Sequence, residues 1–74
     1  MSTEPNPNGR RIGPVLRGVR EGAGFTLRGL ASEVGVTHSH LLRVESGERD
    51  ISPELLEKVL RAIADRLLHK GEAA

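Results

Sequence analysis

Three segments of this sequence carry the same helix-starting pattern, and this repetition constrains the fold more than any other feature. In each, a hydroxyl residue follows one apolar residue and precedes another by four positions: Phe25–Thr26 with Leu30, Val36–Thr37 with Leu41, and Ile51–Ser52 with Leu56. A Ser or Thr at the N-cap accepts a hydrogen bond from the first helical turn, and the two apolar residues pack together as a hydrophobic staple. Three such patterns so close together predict an all-α fold.

Apolar spacing and stop signals bound four predicted helices. From residue 12 onward, apolar residues recur every three or four positions, without the alternation of a strand. Pro14 suits a first helical turn, while Gly35 and Gly47 suit the left-handed position after a last one. We predict a compact four- to five-helix bundle with helices over about residues 14–22, 27–34, 38–46 and 53–68. The residues expected to pack inward are Ile12, Leu16 and Val19 in the first helix and Leu55, Leu56, Val59, Ile63 and Leu67 in the last.

Length and composition limit the functions open to the chain. Its 74 residues are enough for one domain with a small core, which leaves little room for an enclosed pocket. No set of residues typical of a catalytic site occurs in the sequence. We therefore expect neither an enzyme nor a cofactor. The absence of cysteine excludes disulfides and thiolate metal sites. The rings of His38 and His40 would point about 200° apart on a helix, so we expect no metal site there either. Phe25 is the single aromatic residue, which excludes a base-stacking surface for single strands.

The ends of the sequence differ from its middle. Residues 1–11 contain proline, asparagine and glycine with nothing apolar after Met1, so we expect a flexible N-terminal arm there. A folded domain over 12–69 and a disordered tail over 70–74 complete the expected organisation. No apolar run approaches the length of a membrane span, and no signal peptide is evident, so we expect a cytoplasmic protein without membrane contact.

The segment 27–46 has the pattern of a helix-turn-helix motif. Only Gly35 and Val36 separate the second predicted helix from the cap of the third at Thr37. In the third helix only Leu41 and Val44 are expected to point inward, which leaves the opposite side free to enter a major groove about 12 Å wide. The residues predicted to read bases there are His38, Ser39, His40, Leu42 and Arg43.

These residues have alternative interpretations. His38, Ser39 and His40 contact bases or phosphates, or they are simply exposed polar residues. Arg43 has the donors to bind guanine O6 and N7 in a bidentate manner, or it is a surface arginine paired with Glu48 or another nearby acid. Leu42 contacts a thymine methyl group, packs over Val36, or binds a protein partner, and the sequence does not distinguish these three roles.

Residues 12–65 resemble the Cro/lambda-repressor-like (XRE) helix-turn-helix family. The matching residues are Leu16, Val19-Arg20-Glu21, Phe25-Thr26, Leu30-Ala31, Gly35-Val36-Thr37, Leu41, Arg43-Val44-Glu45 and Gly47. The resemblance implies a bundle of the lambda-repressor type that binds double-stranded DNA as a homodimer and represses transcription. It makes 38–46 the recognition helix and Arg20–Glu45 a structural ion pair.

The resemblance also implies contacts to the DNA backbone. The expected phosphate-contacting residues are Thr26, Arg28, Thr37, Ser46 and Arg49, and the arm adds Arg10 and Arg11, either in the minor groove or as a general attraction to phosphate. Three features depart from the family. Leu27 stands where a phosphate-binding glutamine is common, Gly29 stands where a helix former is usual, and Glu48 and Asp50 lie in a loop that is often basic.

The last predicted helix carries a second apolar row. Leu60, Ala64 and Leu68 follow one another at intervals of four, and we interpret them as a dimer seam; the alternative is that they complete the core of one chain. A second function hypothesis is a protein-interaction module, antitoxin-like or binding a regulatory partner, that keeps the fold. The net charge of only +1, Leu42 and the acidic segment Glu48–Asp50 favour this hypothesis.

Overall fold

The computed structural model describes the backbone of residues 7–72 and the side chains of residues 12–69. In this part of the chain it contains four α-helices and no strand: α1 Pro7–Gly22, α2 Leu27–Val34, α3 His38–Glu45 and α4 Pro53–Glu72. The all-α prediction is therefore confirmed. None of these helices combines the length and the apolar character needed to cross a bilayer.

The three predicted caps are formed. Their hydroxyl oxygens accept hydrogen bonds from backbone N–H groups three residues later: Thr26 from Gly29 at 2.9 Å, Thr37 from His40 at 3.1 Å, and Ser52 from Leu55 at 3.1 Å. The apolar residues around each cap are buried or packed against the core. These local interactions fix where α2, α3 and α4 begin, and so they set the geometry of the helix-turn-helix.

The core lies between all four helices. Its fully buried side chains come from α2, α3 and α4, namely Leu30, Leu41, Val44 and Val59. In α4, Leu55, Val59 and Ile63 form the buried row, whereas Leu67, which was expected to continue it, is exposed. The side chain of Leu67 is 49% exposed, so the buried row ends at Ile63.

The first helix differs most from its prediction. It begins at Pro7 rather than near residue 14, so Pro14 lies inside the helix. Its buried side also differs: Val19 is 41% exposed and Arg20 only 7%. An ion pair to α3 holds Arg20 against the core, which turns Val19 toward solvent.

The ends of the described chain are also helical beyond the predicted bounds. Residues 7–11 of the expected arm belong to the backbone of α1, and α4 continues to Glu72. Residues 1–6 and 73–74 lie outside the described residues, as do the side chains of Arg10 and Arg11. The expected groove contacts of those two arginines remain predictions.

A long-range contact joins α4 to the segment between α1 and α2. The Arg66 guanidinium lies 3.8 Å from the centre of the Phe25 ring and donates a hydrogen bond of 3.3 Å to the Gly24 carbonyl. A cation over an aromatic face stabilises by about 0.5–1 kcal/mol at an exposed site. This contact holds the residue before the Thr26 cap, and with it the start of α2.

Candidate nucleic-acid interface

The turn between α2 and α3 is three residues long and depends on a glycine. Gly35 adopts φ +79°, a left-handed conformation that glycine takes without steric cost. Its N–H donates to carbonyls of the last turn of α2, and the Val36 N–H donates to the Ala31 carbonyl at 2.9 Å. The tight ending of α2 brings Thr37 directly into position to cap α3.

Helix α3 has one buried and one exposed side. Leu41, Val44 and Glu45 are buried, whereas Ser39, Leu42 and Arg43 are exposed. Two histidines at its start, His38 and His40, are half-buried. In the part of the chain that the structure describes, no other element covers the exposed side, so it is free to meet an external surface.

A buried ion pair joins α1 to the inner side of α3. The Arg20 guanidinium donates from Nε to Glu45 Oε2 at 2.7 Å and from Nη2 to Oε1 at 3.1 Å. A third hydrogen bond, of 2.9 Å, runs from its Nη1 to the Phe25 carbonyl. Arg20 and Glu45 are thus brought together as the resemblance implied, and their paired charges stabilise the position of α3.

A close backbone approach also positions α3, and the sequence analysis missed it. Gly13 packs against the carboxyl end of α3: a Cβ built at this position would clash with the Val44 carbonyl and lie 2.8 Å from the Glu45 carbonyl oxygen. Only a residue without a side chain allows α1 to come so near. The sequence signal was present, since Gly13 precedes Arg20 by seven residues and shares its side of the helix.

Two candidate phosphate ligands are the cap hydroxyls. Thr26 and Thr37 are exposed, and each uses its oxygen to accept the capping bond. The hydroxyl proton remains free to donate to a phosphate. Thr26 and Thr37 thus have the geometry of phosphate ligands, and their contacts to DNA remain predictions.

Three candidate arginines are exposed and free of intramolecular ion pairs. Within residues 12–69, none of the guanidinium groups of Arg28, Arg43 and Arg49 pairs with a carboxylate. The alternative pairing of Arg43 with Glu48 does not occur. Arg43 is therefore available to bind an external acceptor.

In the loop after α3, the Ser46 hydroxyl already lies close to two acceptors of the protein itself. Ser46 Oγ lies 3.1 Å from the Arg43 carbonyl oxygen and 3.0 Å from Glu48 Oε2. Because a serine hydroxyl has one proton, a phosphate at Ser46 would compete with these two internal acceptors. The predicted phosphate contact at Ser46 is thus less accessible than those at the two threonines.

A cleft of about 240 Å³ opens where α1, α2 and α3 meet. We call it the Arg17 cleft, and its lining residues are Arg17, Arg20, Leu27, Leu42, Glu45 and Ser46. Leu27 packs against the core. Arg17 was not among the predicted site residues, although it precedes Arg20 by one helical turn. Among the described residues, no three potential metal ligands come together here or elsewhere.

Comparison with known proteins places this geometry in a family. A family model described as a helix-turn-helix domain matches residues 11–65. The chain belongs to this helix-turn-helix family. No curated protein matches the chain.

Two solved structures are similar over most of the chain. Both are crystal structures of the clp gene regulator ClgR from Corynebacterium glutamicum, with 34% sequence identity and a TM-score of 0.69. The matches cover 95% of this chain and 78% and 95% of the two ClgR chains. Helix-turn-helix domains bind duplex DNA by placing their second helix in the major groove. The second helix of the motif in this chain is α3.

Proposed function

We propose that this protein is a transcriptional regulator that binds double-stranded DNA sequence-specifically through α3. The observation that carries the proposal is that α3 has two different sides. Two buried apolar residues pack the helix against the core, while Ser39, Leu42 and Arg43 on the other side are exposed. Arginine forms bidentate bonds to guanine, and leucine contacts the thymine methyl group. Similarity to ClgR, a clp gene regulator, supports a regulatory role.

The proposal includes a homodimer formed through the α4 seam. In the single chain Leu60 is 50% and Leu68 70% exposed, so these residues do not complete its core. Next to them lies a groove of about 410 Å³, and Leu56, Leu60 and Ala64 belong to its lining. A second copy related by a two-fold axis would cover this apolar surface with the same residues. Two copies of α3 would then read half-sites about 34 Å apart.

Repression is the proposed mode of regulation. A dimer bound to two half-sites excludes other proteins from the DNA that it covers, and this requires no further activity of the chain. The proposal therefore assigns the protein no enzymatic function and no cofactor, and places it in the cytoplasm with its DNA.

The test is the base preference of an Arg43→Ala variant. We expect it to bind mixed-sequence duplexes almost as the wild type does, but to lose about 1–3 kcal/mol of discrimination at one base pair of the preferred site. The control is Arg61→Ala, which removes an exposed arginine of α4. Affinity for a panel of single-base variants of the site measures the difference. Unchanged preference in Arg43→Ala would show that Arg43 does not read a base.

A protein-interaction module is the second candidate function. The observation that favours it is the apolar edge that Leu27 and Leu42 give to the Arg17 cleft, together with the acidic residues of the following loop. Salt separates the two functions: affinity for DNA falls steeply as salt rises because counterions are released, whereas an apolar protein interface responds little.

A further inference from the structure

We infer that Arg17 of α1 binds a DNA phosphate at the edge of the helix-turn-helix, and that Glu21 competes with this phosphate for the guanidinium group. The inference rests on the proposed function, because it adds a third helix to the DNA-binding surface. It concerns a residue that neither the sequence analysis nor the comparisons assign to DNA.

The position of Arg17 gives the first argument for the inference. Arg17 lines the same cleft as Leu27, which begins α2, and as Leu42 and Ser46, which lie on the exposed edge of α3 and in its cap. The exposed side of α3 is the side proposed to enter the major groove, so the mouth of the cleft lies beside the groove. Phosphates border the major groove on both sides, and contacts to them fix a protein's register and orientation on the duplex.

The charges of the cleft give the second argument. Arg20 and Glu45 are buried and neutralise each other through two hydrogen bonds. Arg17, by contrast, has 65% of its side chain exposed. It is therefore the cation at the cleft that is available to an external anion.

The side chain of Leu27 gives the third argument. A leucine at the start of α2 cannot donate a hydrogen bond to a phosphate, so a phosphate at this corner of the domain needs another side-chain donor. Arg17 approaches the same cleft from α1. Its planar guanidinium suits a phosphate, to which it donates two parallel hydrogen bonds.

Glu21 holds Arg17 in the absence of DNA. Arg17 Nε donates to Glu21 Oε2 at 3.3 Å, and 54% of the Glu21 side chain is exposed. The same carboxylate lies 3.8 Å from Arg20 Nη2. Exposed ion pairs between residues four apart on a helix are weak, so a phosphate can displace Glu21. Loss of the carboxylate should accordingly strengthen DNA binding.

The chain offers a matched control pair in α4. Arg61 and Glu57 are also four residues apart, with Nη2 and Oε1 4.0 Å from each other and side chains 79% and 69% exposed. This pair lies away from the Arg17 cleft but lines the groove beside the proposed seam, so its variants serve as controls only where sedimentation gives the wild-type mass. The variants Arg61→Ala and Glu57→Gln change the net charge by the same amounts as Arg17→Ala and Glu21→Gln do.

The experiment measures binding of the full chain to a mixed-sequence 20-base-pair duplex over a series of salt concentrations. For Arg17→Ala we expect about a three- to tenfold loss of affinity at low salt, and a plot of log affinity against log salt whose slope is smaller by about 1. For Glu21→Gln we expect affinity that is higher by about twofold or more. Arg61→Ala and Glu57→Gln should keep the wild-type slope. Urea denaturation and sedimentation establish that each variant is folded and has the same mass.

Two results would overturn the inference. The first is an Arg17→Ala variant with the wild-type slope and affinity. The second is an equal loss of affinity in Arg17→Ala and Arg61→Ala, which would reveal a general effect of charge. Failure of the proposed function gives a different result: the wild-type protein itself would then show no salt-dependent affinity for the duplex.

Discussion

The ion pair between Arg20 and Glu45 makes the sharpest stability prediction. In Arg20→Met the Glu45 carboxylate stays buried and loses the two hydrogen bonds that Arg20 donates to it. The Phe25 carbonyl loses the hydrogen bond from Arg20 Nη1. Removing one partner of a buried pair costs about 3–5 kcal/mol. A domain of 74 residues has a free energy of unfolding of about 4–11 kcal/mol. We therefore expect the variant to lose about a quarter or more of its stability, measured by urea denaturation followed by circular dichroism.

Two further variants separate the buried pair from other effects. Arg17→Met removes an exposed arginine from the same helix and should cost less than about 0.5 kcal/mol. The double variant Arg20→Met with Glu45→Met replaces both charges by apolar groups and should recover most of the loss. A loss below about 1 kcal/mol in Arg20→Met, or a double variant no more stable than the single one, would refute the argument.

Three other predictions follow from helix positions. Gly13→Ala should be about 1–3 kcal/mol less stable than Gly18→Ala in urea, because a Cβ meets backbone only at Gly13; equal stabilities would contradict the close approach. Thr37→Ala should cost about 1 kcal/mol, measured in the same way, because the cap of α3 is lost. An unchanged midpoint would mean that the cap contributes nothing. Leu60→Glu combined with Leu68→Glu should give a folded monomer in sedimentation, and a mass equal to that of a wild-type dimer would reject the seam.

The sequence predicts best the parts of the fold that depend on local interactions. Each cap requires only a hydroxyl and an N–H three residues later, so the starts of α2, α3 and α4 follow from Thr26, Thr37 and Ser52. The tight turn follows in the same way from Gly35, which adopts the left-handed conformation that its position requires. The inner side of α3 was likewise evident from the spacing of Leu41 and Val44.

Tertiary packing decides what the sequence did not predict. Val19 and Arg20 are neighbours on α1, and apolar character favoured the burial of Val19. The resemblance implied the pair of Arg20 with Glu45, but only the placement of α3 shows that this pair buries Arg20 and leaves Val19 exposed. Gly13 resembles a helix-weakening residue until α3 is placed against it. Arg17 resembles one half of a surface ion pair until the cleft beside α2 and α3 is known. In each case the partner is distant in sequence, and spacing within one helix does not reveal it.

The central claim is that the exposed side of α3 reads the bases of duplex DNA. The most direct measurement is selection from a pool of random duplexes by the full chain at physiological salt. We predict enrichment of one palindromic motif whose half-sites are separated by about one helical turn, or roughly 34 Å. A folded protein that enriches no motif over repeated rounds would contradict the claim.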